Sequence, residues 1–197
     1  MNTFQLSAEP RTTTGKKATK ADRAAGKIPC VLYGRNQVEH LVVEPANVRK
    51  LIFTPDFNVV ELAASGQTHR AIVKDVQYHP TTDAIEHIDF LRLEDGHPLK
   101  VELPLRTKGV SPGVKAGGRL VQSVRRVKVK ALPSDLVDEL FVDISSLELG
   151  SAIRVRDITV PEGIELLVND AIPVAMVEVP RALRSAATAA AKEAKAK

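Results

Sequence analysis

Short segments rich in Val, Leu and Ile, separated from one another by Gly and Pro, make up most of this 197-residue sequence. The clearest of them, VKVK at residues 127–130, alternates strictly between apolar and basic residues, as a strand with one solvated face does. Aromatic residues amount to 4% of the chain and Trp is absent, so branched aliphatic side chains must fill the cores. The sequence therefore predicts a mainly β protein.

The first 94 residues add short helices to this pattern. Residues 19–25 are rich in Ala, and Gly26 follows them as a glycine that can end a helix, which predicts a first helix. A second is predicted over residues 45–51, where Pro stands in the first turn, whereas the polar run 11–17 predicts a loop. Strands are predicted at residues 4–9, 31–33, 40–43, 57–62, 70–78 and 81–93. We expect residues 1–94 to form a small β-barrel-like domain with two or three short helices.

From residue 95 onward, Pro and Gly separate the strand segments at short intervals. Such spacing is typical of an all-β domain, so we expect a second β-rich domain over residues 95–181. Its predicted strands are residues 99–105, 120–132, 140–144, 153–155, 164–168 and 172–179. Residues 182–197 consist largely of Ala and Lys, a composition that predicts a disordered tail.

Basic residues are concentrated at the two ends of the chain. Residues 1–35 carry seven Lys and Arg against two acids, and residues 181–197 carry five against one, whereas the whole chain has a net charge of only +4. A basic terminal arm indicates a polyanionic partner, although solvated Lys-rich ends are also common in proteins without one. No apolar segment reaches the roughly 20 residues of a membrane span, and the first ten residues lack the apolar core of a secretory signal. We therefore expect a cytoplasmic protein without a membrane partner.

The closest approach to a metal-ligand pattern is formed by His79, His87 and Asp89. His87 and Asp89 are two positions apart and would share one face of a strand. A structural zinc site needs four ligands, usually including thiolates, and Cys30 is the single cysteine of the chain, so no metal is expected. Cys30 lies in an apolar run, and we expect it to be a small core residue.

Sequence patterns of catalysis are missing as well. The chain has no Gly-x-Ser-x-Gly elbow, no Gly-rich phosphate loop and no dinucleotide-binding fingerprint. We expect a protein that is not an enzyme and that takes no cofactor and no small-molecule substrate. A hydrolase that uses His87 and Asp89 is the alternative, and it lacks a visible nucleophile.

The most informative segments are RAAGKIPCVLYG at residues 23–34, KDVQYHP at residues 74–80 and HIDF at residues 87–90, preceded by Arg11 and a Gly15-Lys16 turn. In order and spacing they resemble the signature of the bacterial large-subunit ribosomal protein L25 family. A Gly-Val-x-x-Gly-Gly turn at residues 113–118 extends the resemblance to the long, two-domain form, also called the general stress protein CTC. The resemblance covers nearly the whole chain and leaves only the Ala/Lys tail unassigned.

This resemblance implies a barrel-like domain that binds the non-Watson–Crick internal loop of 5S rRNA. It places the protein in the large ribosomal subunit, beside other rRNA and neighbouring ribosomal proteins, and implies a β-rich C-terminal domain. Two positions depart from the family: Ala24 stands where many relatives have a basic residue, and Cys30 replaces a smaller residue. The RNA-contact positions of the family correspond here to Arg11, Lys16, Arg23, Tyr33, Gln77, His87 and Asp89.

The chemistry of these residues agrees with the implied roles. Arg11, Lys16 and Arg23 would neutralise phosphates and orient the protein without reading sequence. The wide, shallow minor groove of helical RNA is read by polar side chains, which His87 and Asp89 would supply from one strand face. The alternative within the same resemblance is a free-standing, stress-related RNA-binding protein whose ribosome association is secondary.

Overall fold

The computed structural model describes residues 2–34, 37–64 and 66–181, and the tail predicted at residues 182–197 lies outside these ranges. The chain divides into two compact units, the first containing the described residues up to Val101 together with Ala131–Asp138, the second containing Glu102–Lys130 and the described residues from Glu139 onward. No helix in the described ranges is long and apolar enough to cross a membrane.

The first unit holds seven strands and two helices among its described residues. In chain order they are β1 (Thr3–Ser7), β2 (Glu9–Pro10), α1 (Lys16–Ala24), β3 (Ile28–Gly34), β4 (Gln37–Val43), α2 (Pro45–Ile52), β5 (Val59–Ala64), β6 (Gln67–Tyr78) and β7 (Ile85–Arg92). The predicted strands and both predicted helices are therefore present. Strand β5 pairs with β6 in the antiparallel orientation, as expected of two strand segments separated by the Ser65-Gly66 turn signal in the sequence.

One seven-stranded sheet, in the order β1-β5-β6-β7-β3-β4-β2, curls into a half-barrel, which we call the barrel. Its two edge strands, β1 and β2, are consecutive in the chain and only Ala8 separates them. The backbone N–H of Ala8 donates to the carbonyl of Ala63 at 2.9 Å, and that of Arg11 donates to the carbonyl of His40 at 2.8 Å. A single extended segment thus supplies both edge strands, pairing with β5 at one edge and with β4 at the other.

The barrel interior is filled almost entirely by aliphatic side chains, as the composition predicts. Phe90, Leu32 and Leu62 are fully buried, and α2 adds Val48 and Leu51 to the same cluster. The exposed fraction of Cys30 is 0%, which confirms the prediction that it is a core residue. Burial raises the pKa of the Cys30 thiol to about 12.

Helix α1 begins at Lys16, three residues before the predicted start, so the predicted loop at 11–17 is too long by two residues. The reason is that no residue of α1 is buried. A helix without an apolar stripe gives no periodicity from which its start can be read. Its end agrees with the prediction, because Gly26 follows the capping Ala25 with a φ of +74°, a conformation that favours glycine.

The rest of the described chain, which includes the second unit, is also β-rich, with strands in two sheets. After Leu93 the elements are β8 (Leu99–Lys108), α3 (Pro112–Lys115), β9 (Arg119–Gln122), β10 (Arg126–Ala131), β11 (Leu140–Asp143), β12 (Ala152–Arg154), a 3-10 turn (Val155–Asp157), β13 (Ile164–Leu166) and β14 (Pro173–Glu178). The sheet orders are β11-β8-β10-β13 and β12-β14-β9. The described residues as a whole thus form the mainly β fold that the sequence predicts.

Two features of the second unit differ from the predicted strands. The segment predicted as one strand at residues 120–132 forms two strands, β9 and β10, in different sheets. Strand β9 ends at Gln122, whose side-chain amide donates to the carbonyls of Leu105 and Val124. The short helix α3 was not predicted. Its start is capped by the buried Ser111 hydroxyl, which accepts from the N–H of Val114 at 3.3 Å.

Candidate nucleic-acid interface

Strands β6, β7 and β3 lie side by side, and their alternate residues point away from the barrel interior. On β7, Ile88 and Phe90 are buried in the core while His87 and Asp89 lie on the other face and are partly exposed. The predicted shared face of His87 and Asp89 is therefore present. Their position on a paired, central strand holds both side chains on a firm surface.

The strand register brings further polar residues onto this face. Gln77 of β6 lies directly opposite His87, and Asp75 lies opposite Asp89. On the other side of β7, Val31 pairs with Asp89, and Tyr33 follows two residues later on the same face. We call Tyr33, Asp75, Gln77, His87 and Asp89 the outer patch.

Members of the outer patch interact electrostatically with one another. Nδ1 of His87 lies 2.7 Å from Oδ1 of Asp89, at ion-pair distance when the imidazole is protonated. Burial raises the pKa of the Tyr33 hydroxyl, and the carboxylates of Asp89 and Asp75 raise it further. Tyr33 therefore remains a neutral hydroxyl that both donates and accepts hydrogen bonds at neutral pH.

Sequence reasoning missed Asp75. The pairing register of β6 and β7 shifts between Val73 and Asp75, so one extra residue, Lys74, is inserted at that point. Such a bulge reverses the inward and outward alternation of the residues that follow it. Because Val73 and Val76 both contact the core, a strict alternation cannot predict which neighbours are exposed.

Helix α1 supplies the basic part of the site and contacts β3. Lys16, Lys17 and Lys20 are exposed along it, as the basic arm predicts. Arg23, near its end, donates from Nε and Nη2 to the carbonyl of Glu86 at 3.2 and 3.1 Å. Glu86 immediately precedes His87, so this contact tethers the basic helix beside the outer patch.

Arg11 occupies a different environment from the lysines of α1. Its Nη2 lies 2.8 Å from Oδ2 of Asp22 and donates to the Thr19 hydroxyl at 3.2 Å. Only 9% of the Arg11 side chain is exposed. The guanidinium therefore links the segment after β2 to the inward side of α1.

This arrangement suits recognition of a polar, anionic surface. The outer patch offers carboxylate, imidazole, amide and hydroxyl groups on a rigid sheet, and exposed lysines lie on the neighbouring helix. Within the described ranges, no group of three or more His, Cys, Asp and Glu side chains is placed to hold a metal ion.

Similarity to known proteins extends over almost the whole chain. A protein of Porphyromonas gingivalis named large ribosomal subunit protein bL25 is 43% identical over 189 residues, which cover 95% of this chain and 98% of that relative. The family model for ribosomal L25p matches residues 6–90, and the model for the C-terminal domain of ribosomal protein TL5 matches residues 98–181. The chain belongs to the ribosomal L25p family.

Two further bL25 proteins show that the long, two-domain form is shared. That of Phocaeicola vulgatus is 39% identical over 199 residues, covering 98% of this chain and all of the relative. That of Bacteroides fragilis is 40% identical over 182 residues, covering 92% of each chain. The family resemblance of the three motifs is thereby confirmed, and the whole outer patch lies within the part matched by the L25p model.

Proposed function

We propose that this protein is a structural component of the large ribosomal subunit that binds 5S rRNA through its first 94 residues and catalyses no reaction. The ribosomal part is supported by the names of the bL25 relatives, which share about 40% identity over nearly their full length. We place the protein in the cytoplasm on the ribosome, beside other rRNA and neighbouring ribosomal proteins. The free-standing, stress-related alternative gains no support from the relatives compared above.

The observation that carries the RNA assignment is the tether between Arg23 and Glu86, which holds a basic helix next to a polar sheet face. Helical RNA exposes a wide, shallow minor groove lined with base edges and 2′-hydroxyls, flanked by phosphates. A rigid sheet presenting polar side chains fits the groove, and the exposed lysines beside it fit the phosphates. The site therefore divides readout and charge neutralisation between two elements.

Each contact residue has a task in this proposal. Lys16 neutralises phosphates, and Arg23 does so only in competition with Glu86, whose carbonyl and carboxylate both contact its guanidinium. Tyr33, Gln77, His87 and Asp89 form hydrogen bonds to base edges, 2′-hydroxyls or bound water. Asp89 acts as an acceptor, because a carboxylate facing RNA is repelled unless it receives hydrogen bonds from donors. The paired guanidinium of Arg11 positions α1, and any phosphate contact it makes requires competition with Asp22.

A titration of the full chain with 5S rRNA tests this proposal. Binding is measured for intact 5S rRNA, for its isolated internal loop closed by paired stems, and for an unrelated hairpin of the same length. We expect the internal loop to retain most of the affinity of intact 5S rRNA and to compete with it, while the unrelated hairpin binds weakly. Equal affinity for the loop and the unrelated hairpin at physiological salt would contradict the proposal.

A further inference from the structure

His40 lies on β4, on the same outward face of the sheet as the outer patch. Its neighbour Leu41 is buried in the core opposite Cys30, so the side chain of His40 points to the other face. His40 pairs with Val31 of β3, and Val31 pairs with Asp89 of β7. Residues that pair directly across strands share one face of a sheet. His40, Val31 and Asp89 therefore form one row across the outward face.

The imidazole of His40 is exposed, and among the described residues its ring has no hydrogen-bond or ion-pair partner. The ring of His87, by contrast, already lies 2.7 Å from the carboxylate of Asp89. The row thus has a carboxylate on β7 and an unpaired imidazole on β4, two strand spacings or about 10 Å apart. One RNA helix can contact both ends of a row of that length.

The backbone of His40 is joined to the segment that holds the basic helix α1. Its carbonyl accepts from the N–H of Arg11 at 2.8 Å, and the Arg11 guanidinium bonds to Asp22 and Thr19 of α1. The exposed lysines that we assign to phosphates lie on that same helix. The row therefore ends, on its β4 side, next to the segment that anchors the basic helix.

The sheet surface around His40 is open to close approach. Apart from His40, the outward positions of β3 and β4 hold Pro, Val and Tyr, and no Lys, Arg, Asp or Glu. Tyr33 of the outer patch pairs with Val38, which is 60% exposed. Outward positions of β10 and β13 instead carry an ion pair of Lys130 with Glu165. An RNA strand that approaches β3 and β4 meets no carboxylate there and orders no long charged side chain.

We propose that His40 is a further RNA-contact residue, whose ring N–H donates to an oxygen of the RNA sugar–phosphate backbone, a phosphate or a 2′-hydroxyl. This inference rests on the proposed function, since it extends the same sheet face to β4. The neutral imidazole has one N–H donor and the protonated ring has two, so His40 can donate in either state. RNA fits better than a partner protein because the row begins at a proposed RNA contact and ends beside the basic helix.

The test compares His40→Leu and His40→Gln with the parent in the full chain. Leucine removes the donor, glutamine keeps an N–H donor, and equal thermal midpoints show that the fold is intact. His97→Leu is the matched control, because His97 is exposed in the turn between β7 and β8. We expect His40→Leu to weaken binding to the 5S rRNA internal loop about 3- to 10-fold, the scale of one hydrogen bond. His40→Gln should lose less, and the control should bind as the parent does.

Internal loops with single 2′-deoxy substitutions distinguish the two backbone acceptors. If one substitution weakens binding of the parent but not of His40→Leu, the acceptor of His40 is that 2′-hydroxyl, because removing either partner then breaks the same bond. If every substitution affects the parent and His40→Leu equally, the acceptor is a phosphate.

Nuclear magnetic resonance of the imidazole signals gives a second measurement. The signals of His40, assigned by their loss in His40→Gln, should shift when the internal loop is added, while those of His97 stay in place. Parent-like affinity of His40→Leu, or unshifted signals of His40, would overturn this contact and leave the proposed function standing. Normal RNA binding of His40→Leu with poor incorporation into ribosomal subunits would overturn it in favour of a protein contact. Failure of the parent to bind 5S rRNA would overturn the proposed function itself.

Discussion

Asp75 and Asp89 lie directly opposite each other on neighbouring strands of the barrel, on the face that also carries His87. Two carboxylates side by side repel an RNA backbone and each other. We expect the two to differ sharply when they are removed, because Asp89 is proposed as a hydrogen-bond acceptor and Asp75 is not. Asp89→Ala should weaken binding to the 5S rRNA internal loop by roughly 1–3 kcal/mol, the scale of a lost groove-edge contact.

Asp75→Ala is the control for this prediction. It removes the same charge from the adjacent position, so it should leave binding unchanged or tighten it slightly through lost repulsion. Titrations of both variants at several salt concentrations measure the difference, and the salt slope should change little for Asp89→Ala. An unchanged or tighter affinity for Asp89→Ala would exclude this carboxylate from the interface.

A variant of Lys16 tests how much a salt-dependent phosphate contact contributes to the affinity for RNA. A phosphate contact releases counterions on binding, so its loss lowers the affinity for many RNAs alike and makes the salt dependence shallower, by a slope of about 0.7–0.9 per contact. We expect this for Lys16→Ala, with the preference for the internal loop retained. Lys128→Ala, an exposed lysine of the second unit, should leave the slope unchanged. A steeper loss for the cognate loop than for other RNAs would identify Lys16 as a specificity contact.

Much of the fold could be predicted because strand alternation and turn residues act locally. The exposed faces of β3 and β7 follow directly from the alternation of residues around Leu32 and Phe90, and the shared face of His87 and Asp89 follows with them. Local rules fail where pairing partners decide the outcome. The break between β9 and β10 depends on Gln122 reaching the carbonyl of the distant Leu105, which no nearby residue signals.

In the candidate site as well, local sequence patterns predicted some features, whereas contacts between distant residues were missed. Its family-derived residues all lie in the first unit, and most are grouped by the β6-β7-β3 register and by α1. Asp75 and the row that joins His40 to Asp89 were not predicted, because the first depends on a bulge and the second on the pairing register of three strands. The internal pairing of Arg11 was missed for a related reason, since charge patterns do not show which cations already have carboxylate partners.

The pair formed by Arg11 and Asp22 should contribute to stability. Arg11 is nearly buried and Asp22 is mostly shielded, so solvent screens their attraction less than that of a surface pair. Arg11→Ala should lower the free energy of unfolding by about 1.5–3 kcal/mol, the range for a hydrogen bond to a charged group. Denaturant titration measures this change, and Lys16→Ala serves as the control with no loss. If Asp22→Ala added a full further loss in the Arg11→Ala background, the two side chains would not act as a pair.

Because the Cys30 thiol is buried, we expect the free energy of unfolding to decrease at alkaline pH. Burial raises the pKa of the thiol to about 12 in the folded chain, from 9.0 for a solvated thiol. The folded state therefore keeps a proton that the unfolded state releases, so the contribution of this group is intact below pH 9 and is lost as the pH rises towards 12. The loss should be smaller in Cys30→Ala, measured by denaturant titration between pH 8 and about pH 10.5. Parallel pH profiles for the two proteins would contradict the assignment.

RNA binding should reside in a fragment of residues 1–94, with residues 95–181 as a separate domain. The hydrophobic cluster inside the barrel is built from residues between Leu6 and Phe90, and the outer patch and α1 fall within the same range. A chain cut after residue 94 therefore retains that core, and cooperative thermal unfolding of the fragment shows whether it folds. We expect it to bind the 5S rRNA internal loop within a few-fold of the intact protein, because every proposed contact is present. If the folded fragment bound no better than residues 96–181, the assignment of RNA binding to the first 94 residues would be wrong.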